Sequence, residues 1–82
     1  MVMVDVTVPA IGRKYNFNLE ERARISMLIS EIVEVICQKE NCFLEGNADQ
    51  LTLCCQEQQK LLNPEKTLSE YGIQNGSRLL LI

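Results

Sequence analysis

The side chains in this sequence best suited to chemistry are four cysteines, Cys37, Cys42, Cys54 and Cys55. A thiolate can attack a substrate, form a disulfide or hold a soft metal ion. Their spacing argues against these uses. Zinc sites present C-x2-C pairs, often completed by histidine; here there is no such pair and no His at all. Adjacent Cys54 and Cys55 on a strand would point to opposite faces and could not chelate one ion together. A redox role for either would need a cation beside it to lower its pKa, and the lysines are distant in sequence. The four read as reduced thiols filling half-buried positions, as in a reducing compartment.

Other catalytic arrangements fare no better. The chain offers no histidine for proton transfer near neutral pH, no phosphate-cradling Gly-rich loop and no nucleophile–base pair. Glu20-Glu21 and Glu31/Glu34 are acidic pairs, read as lying at a helix start and on its solvent face, where negative charge at the start favours the helix dipole. No residue is assigned to catalysis, cofactor or metal, and the expected activity is binding rather than enzymatic.

Composition narrows the partners. The 82 residues predict one domain with a single core. With 46% hydrophobic and 23% charged residues, the chain has the balance of a folded, soluble protein. A formal net charge of -3 gives no basic footprint for nucleic acid. No apolar run approaches the ~20 residues of a membrane span, so direct membrane insertion is not expected. Met1 to Asp5 lacks the basic start and apolar stretch of a signal peptide, and the expected location is cytoplasmic.

Hydrophobic periodicity supplies the elements. Val2, Val4, Val6 and Val8 alternate with Met3, Asp5 and Thr7; after a turn over Pro9 to Arg13, Tyr15, Phe17 and Leu19 alternate with Lys14, Asn16 and Asn18. This predicts an antiparallel hairpin. From Ala23 to about Lys39 the period becomes helical, with Ile25, Leu28, Ile29, Ile32 and Ile36 on one face, Val33, Val35 and Cys37 at its margins, and Met27 on the polar side. A polar loop follows from Asn41 to Asp49, then a strand over Gln50 to Gln56 with Leu51, Leu53 and Cys55 on one face. Gln56 to Lys60 reads as a turn, and Leu61-Leu62 as a very short edge strand closed by Pro64.

The last quarter reads as a turn at Asn63-Pro64, a helical turn over Thr67 to Tyr71, a second turn at Asn75-Gly76 and a terminal strand over Ser77 to Ile82. Thr67 and Glu70 have the capping-box spacing. Connection rules place the last strand parallel to the first, at the centre of the sheet. The predicted fold is α+β, a mixed four- to five-stranded sheet with one helix packed across one face.

That order, with Thr67-Leu68-Ser69-Glu70-Tyr71-Gly72-Ile73-Gln74, resembles the ubiquitin-like β-grasp fold, whose corresponding stretch reads T-L-S-D-Y-x-I-Q. Within that superfamily, Leu68 to Ile82 is most similar to the end of the bacterial YukD-like proteins, which finish on a Gly-Ile-x-Asn-Gly-x-Arg-Leu type of sequence without a tail. The resemblance implies a component of a type VII (WXG100) secretion system of Gram-positive bacteria. It also implies that the Tyr71 hydroxyl bonds to backbone in the preceding loop.

One departure from the ubiquitin pattern carries weight. Modifiers and sulfur carriers of this fold need a flexible tail ending in Gly-Gly, which threads an activating enzyme's channel. Here the sequence ends Leu79-Leu80-Leu81-Ile82, within the predicted strand. The expectation is a non-conjugated module, with Lys14, Lys39, Lys60 and Lys66 as solubility residues. Two alternatives stay open: a ubiquitin-like adaptor domain of a larger protein, and a modifier or sulfur carrier whose Gly-Gly tail follows Ile82.

Alternation along the last strand puts Leu79 and Leu81 in the core and Leu80 and Ile82 outside. Cys54 is expected on the same outer face, bordered at the hairpin tip by Ala10 or Ile11. An exposed apolar patch marks a partner site, and in ubiquitin-like domains this face is the usual docking surface. The candidate protein-binding residues are Ile11, Cys54, Leu80 and Ile82. The resemblance implies partners among membrane-embedded secretion components or their ATPase, which would hold the protein at the inner face of the membrane; a homodimer through the sheet face is the competing use.

Overall fold

The computed structural model describes residues 1–40 and 51–82 and, for Glu40, the backbone alone. The expected loop from Asn41 to Asp49, with Cys42 in it, lies outside the described residues. In chain order the elements are β1 (Val2–Val8), β2 (Arg13–Leu19), α1 (Ile25–Glu40), β3 (Leu53–Cys55), β4 (Lys60–Leu61) and β5 (Arg78–Leu81). Short 3-10 turns cover Pro9–Ile11 and Ser69–Tyr71. The strands form one sheet in the order β2-β1-β5-β3-β4. β5 runs parallel to β1 and antiparallel to β3; the β1/β2 and β3/β4 pairs are antiparallel. Among the described residues this is the mixed sheet and one packed helix that the periodicities and connection rules predict.

Alternation sorts the side chains cleanly. Val4, Val6 and Val8 of β1, Leu53 and Cys55 of β3, and Leu79 and Leu81 of β5 are buried on one face. The helix stripe Ile25, Leu28, Ile29, Ile32 and Ile36 is buried within the same core. Removing this apolar surface from water is the main force holding helix to sheet, since a helix of this length is marginal in isolation.

The segment before β5 fastens the helix and the sheet together. The first helical amides, which lack intrahelical partners, donate instead to loop carbonyls: Ile25 N–H to Lys66 O (2.9 Å) and Ser26 N–H to Pro64 O (2.9 Å). Ser69 N–H donates to Glu21 O at 2.9 Å, and Leu68 is fully buried. Half of the expected capping box forms: Glu70 N–H donates to Thr67 Oγ1 (3.2 Å), while the Glu70 carboxylate accepts the Thr67 hydroxyl (3.4 Å) rather than a backbone amide. The Tyr71 hydroxyl accepts from Asn63 N–H at 2.8 Å, as the resemblance implies.

Asn75-Gly76 does more than reverse the chain. Gly76 takes φ +88°, where a side chain would be strained, and its N–H donates to Met3 O at 2.8 Å. The Asn75 side chain accepts from Met3 N–H at 2.9 Å, so this dipeptide holds both backbone groups of Met3 on the β5 edge of β1 before β5 begins. A second clasp is acidic. The Glu57 carboxylate accepts from Arg78 N–H (2.9 and 3.1 Å) and from Arg78 Nε (2.9 Å), tying the β3–β4 turn to the first residue of β5. These bonds hold its pKa at about 2, against an ordinary 4.5.

Several expectations are corrected. The edge strand is Lys60–Leu61, one residue earlier than Leu61-Leu62, because Leu62 turns into the core. β3 spans Leu53–Cys55 and β5 spans Arg78–Leu81, each shorter than the expected spans of Gln50 to Gln56 and Ser77 to Ile82, although Thr52 and Ile82 still exchange backbone bonds. The helix begins at Ile25, so Glu20 and Glu21 lie outside its first turn, which holds no acidic residue. All four lysines are exposed, as expected for surface residues, and three of them also cover aromatic rings. Lys60 and Lys66 lie over the Tyr71 ring (5.3 and 5.8 Å) and Lys39 over Tyr15 (5.9 Å), where ring quadrupoles attract the ammonium groups.

Three measurements check this account. Leu79→Ala should destabilise the fold by about 2–5 kcal/mol in chemical denaturation, because a fully buried side chain leaves a cavity. Tyr71→Phe should cost about 1 kcal/mol, the net value of one hydrogen bond; unchanged stability would mean that the Asn63 contact contributes nothing. The Glu57 clasp predicts a pH dependence. A carboxylate whose folded pKa is depressed stabilises fully above its unfolded value near 4.5 and loses that contribution as pH falls towards 2. The melting temperature of wild type should therefore exceed that of Glu57→Gln at neutral pH, and the gap should close between those two values. A gap constant with pH would show that the carboxylate charge is not what fastens β5.

Candidate docking face

The face of the sheet turned away from α1 carries the side chains left over by the core alternation. Strand register places one row straight across it: Lys14 of β2 beside Thr7 of β1, Thr7 beside Leu80 of β5, Leu80 beside Cys54 of β3, and Cys54 beside Leu61 of β4. Leu80 and Cys54 are half-buried by their neighbours, while Leu61 is 63% and Ile82 50% exposed. A shallow depression of ≈ 350 Å³ opens at this end of the sheet, lined by Cys54, Gln56, Gln59, Leu61 and Leu80 among others. Met3, 47% exposed, stands on the same face nearer the start of β1.

Of the four residues singled out in the sequence, the structure brings Cys54 and Leu80 into direct cross-strand register. Ile82 continues their face beyond the last residue of β5, where its N–H donates to Thr52 O (2.9 Å) and its carbonyl accepts from Thr52 N–H (2.6 Å). Ile11 is placed differently. It sits in the 3-10 turn of the β1–β2 hairpin, half-buried against the core cluster, and does not line the depression. Leu61 is the residue that sequence reading missed. Its outward placement follows from pairing with Cys54, which a two-residue strand does not announce.

Burial pushes the Cys54 thiol above its ordinary pKa, away from the reactive thiolate. Cys55 is buried and its thiol donates weakly to Glu57 (3.7 Å), and Cys37 is half-buried at the helix margin. Among the described residues, no three His, Cys, Asp or Glu side chains are grouped so as to hold a metal ion. Among the same residues, no helix is long and apolar enough to cross a membrane.

Comparison with solved structures places the architecture. The ubiquitin-like domain of the Arabidopsis thaliana protein At2g32350 superposes with a TM-score of 0.73 at 17% identity, covering 99% of this chain and 74% of that one. The N-terminal ubiquitin-like domain of the 4931431F19Rik protein gives a TM-score of 0.70 at 26% identity, covering 99% and 72%. No curated protein sequence matches significantly. The family model described as "WXG100 protein secretion system (Wss), protein YukD" matches residues 3–81, nearly the whole length. The chain therefore has a ubiquitin-like β-grasp fold and belongs to the YukD family, which is linked to type VII (WXG100) secretion.

Proposed function

We propose that this chain, as a single ubiquitin-like domain over residues 1–82, is a non-conjugated protein-interaction module and a cytosolic accessory component of a type VII secretion system. It docks through the outer sheet face onto a membrane-embedded secretion component or its ATPase. The observation that carries this reading is the Leu80–Cys54–Leu61 row, continued by Ile82: aligned apolar side chains on a rigid sheet, beside a shallow depression. Family membership supports the secretion assignment and a binding rather than catalytic role. Leu79-Leu80-Leu81-Ile82 is committed to sheet hydrogen bonding, so these residues are not themselves a flexible tail.

The test uses Leu61→Asp and Leu80→Asp. Leu61 is largely solvated, so Leu61→Asp should leave the melting temperature nearly unchanged. At an interface, the same carboxylate is desolvated without a partner and should weaken binding more than about tenfold. The measurements are a thermal melt, a pull-down against detergent-solubilised secretion components, and a substrate-secretion assay in the host. If both variants fold and still support secretion, docking through this face is wrong.

A further inference from the structure

A different surface, at the opposite edge of the sheet, is built for a second copy of this chain. β2 is an outermost strand. Asp5 N–H donates to Ser77 O (3.0 Å) and Met3 O accepts from Gly76 N–H, so the odd-numbered residues of β1 turn their backbone towards β5 and the even-numbered ones towards β2. Their antiparallel partners Tyr15 and Phe17 thus point backbone groups inward. The N–H and C=O groups of Lys14, Asn16 and Asn18 face outward along the free edge. Such an edge is a template for another strand unless it is blocked. Among the described residues none pairs with it, and β2 contains no proline.

Between this edge and α1 runs a groove lined by Tyr15, Phe17 and Leu19 on the strand side and by Glu31, Val35 and Lys39 on the helix side. Glu31, Val35 and Lys39 are spaced by four and form one helical stripe. Val35 is 37% exposed, and Lys39, near the end of the helix, lies over the Tyr15 ring near the start of β2. The short connection from Leu19 to Ile25 keeps the helix start near the strand end, so the helix runs back along the strand. One end of the groove is therefore basic, at Lys39, and the other acidic, at Glu31.

This charge pattern is complementary to itself after a two-fold rotation. We propose that two copies associate by antiparallel β2–β2 pairing about an axis through Phe17 and Val35. In that register Asn16 falls opposite Asn18, with outward-facing backbone groups that can exchange hydrogen bonds. Lys14 falls opposite Glu20, just past the end of β2, whose carbonyl accepts instead from Ala23 N–H. On the groove side the two half-buried Phe17 rings meet each other, flanked by Tyr15, while Leu19 stays in the core of each copy. The same rotation sets Val35 against Val35 and Glu31 against Lys39 across the two helices. Strand and helix, unrelated in sequence, are thus self-complementary about one axis. A foreign extended peptide would have to supply this polarity; a second copy carries it already.

Sedimentation equilibrium of the full chain, over about 10 µM to 1 mM, should show a reversible monomer–dimer equilibrium. Lys39→Glu alone should weaken the dimer more than about tenfold, and Glu31→Lys with Lys39→Glu should restore it to within about threefold, because the reversed pairs are again complementary. Asn16→Pro, which removes an edge N–H that the domain itself does not use, should abolish the dimer while leaving a folded monomer. Should Asn16→Pro fail to fold, the charge reversals decide alone. A chain monomeric throughout this range overturns the proposal, as does a dimer indifferent to the charge reversals or one dissolved by Leu61→Asp. The last result would place self-association on the outer face and leave the β2 edge without a role.

Discussion

The structure depends on closing the parallel pair between β1 and β5. β5 is the central strand, bonded on one side to the start of the chain and on the other to β3, and it is the last element of the sequence. Its two inward leucines fill the middle of the core, so neither the hairpin nor the β3–β4 unit can bury its apolar face until they arrive. Such closure orders nearly the whole chain before the burial repays it, which is the entropic cost of non-local topology. The clasps at either side of β5 make sense in that light. Asn75 and Gly76 hold Met3, and Glu57 holds Arg78, fixing the register of a four-residue strand that its few ladder bonds would hold only weakly.

The helix is held by a related economy. Its buried stripe gives it a partner in the sheet, and its N-terminal amides are satisfied by carbonyls from residues 64–66 rather than by a side-chain cap. The chain between β4 and β5 is therefore structural along most of its length. Leu68 and Ile73 are buried in the core, Tyr71 pins Asn63, and two lysines cover the Tyr71 ring. A stretch without strand or α-helix ends up coupling the helix start to the sheet.

Alternation and helical period were sufficient for most of the fold because each acts on many residues at once. Seven residues in β1 and five in the helix stripe leave little choice of face. The parity of β5 was legible for the same reason, and with it the outward placement of Leu80. Legibility failed where elements were too short or partners too distant. Two residues cannot display a period, so Lys60–Leu61 was displaced by one and Leu61 was not recognised as part of the outer row. Glu20 and Glu21 stand close before the apolar stripe, yet the chain spends residues 20–24 on a turn before the helix begins. Glu57 gives no local sign of its attachment to Arg78, and nothing in the sequence sets Phe17 beside Val35. Ile11 shows the converse: its place at a hairpin tip suggests a position bordering the outer face, whereas the 3-10 turn folds it back on the core.

The parallel pairing has a mechanical consequence. In parallel strands the beginning of one and the end of the other lie at opposite ends of the ribbon. Traction applied between the start of β1 and the end of β5 would pull the strands past each other along their length. The ladder from Asp5 to Thr7, together with the Met3 contacts of Asn75 and Gly76, would then bear the load simultaneously in shear. An antiparallel hairpin pulled from its open end instead gives way one bond at a time. Tension between those two points is thus resisted by several bonds at once, whereas force applied through β4, bound by a two-residue edge, would peel the sheet from its weak side.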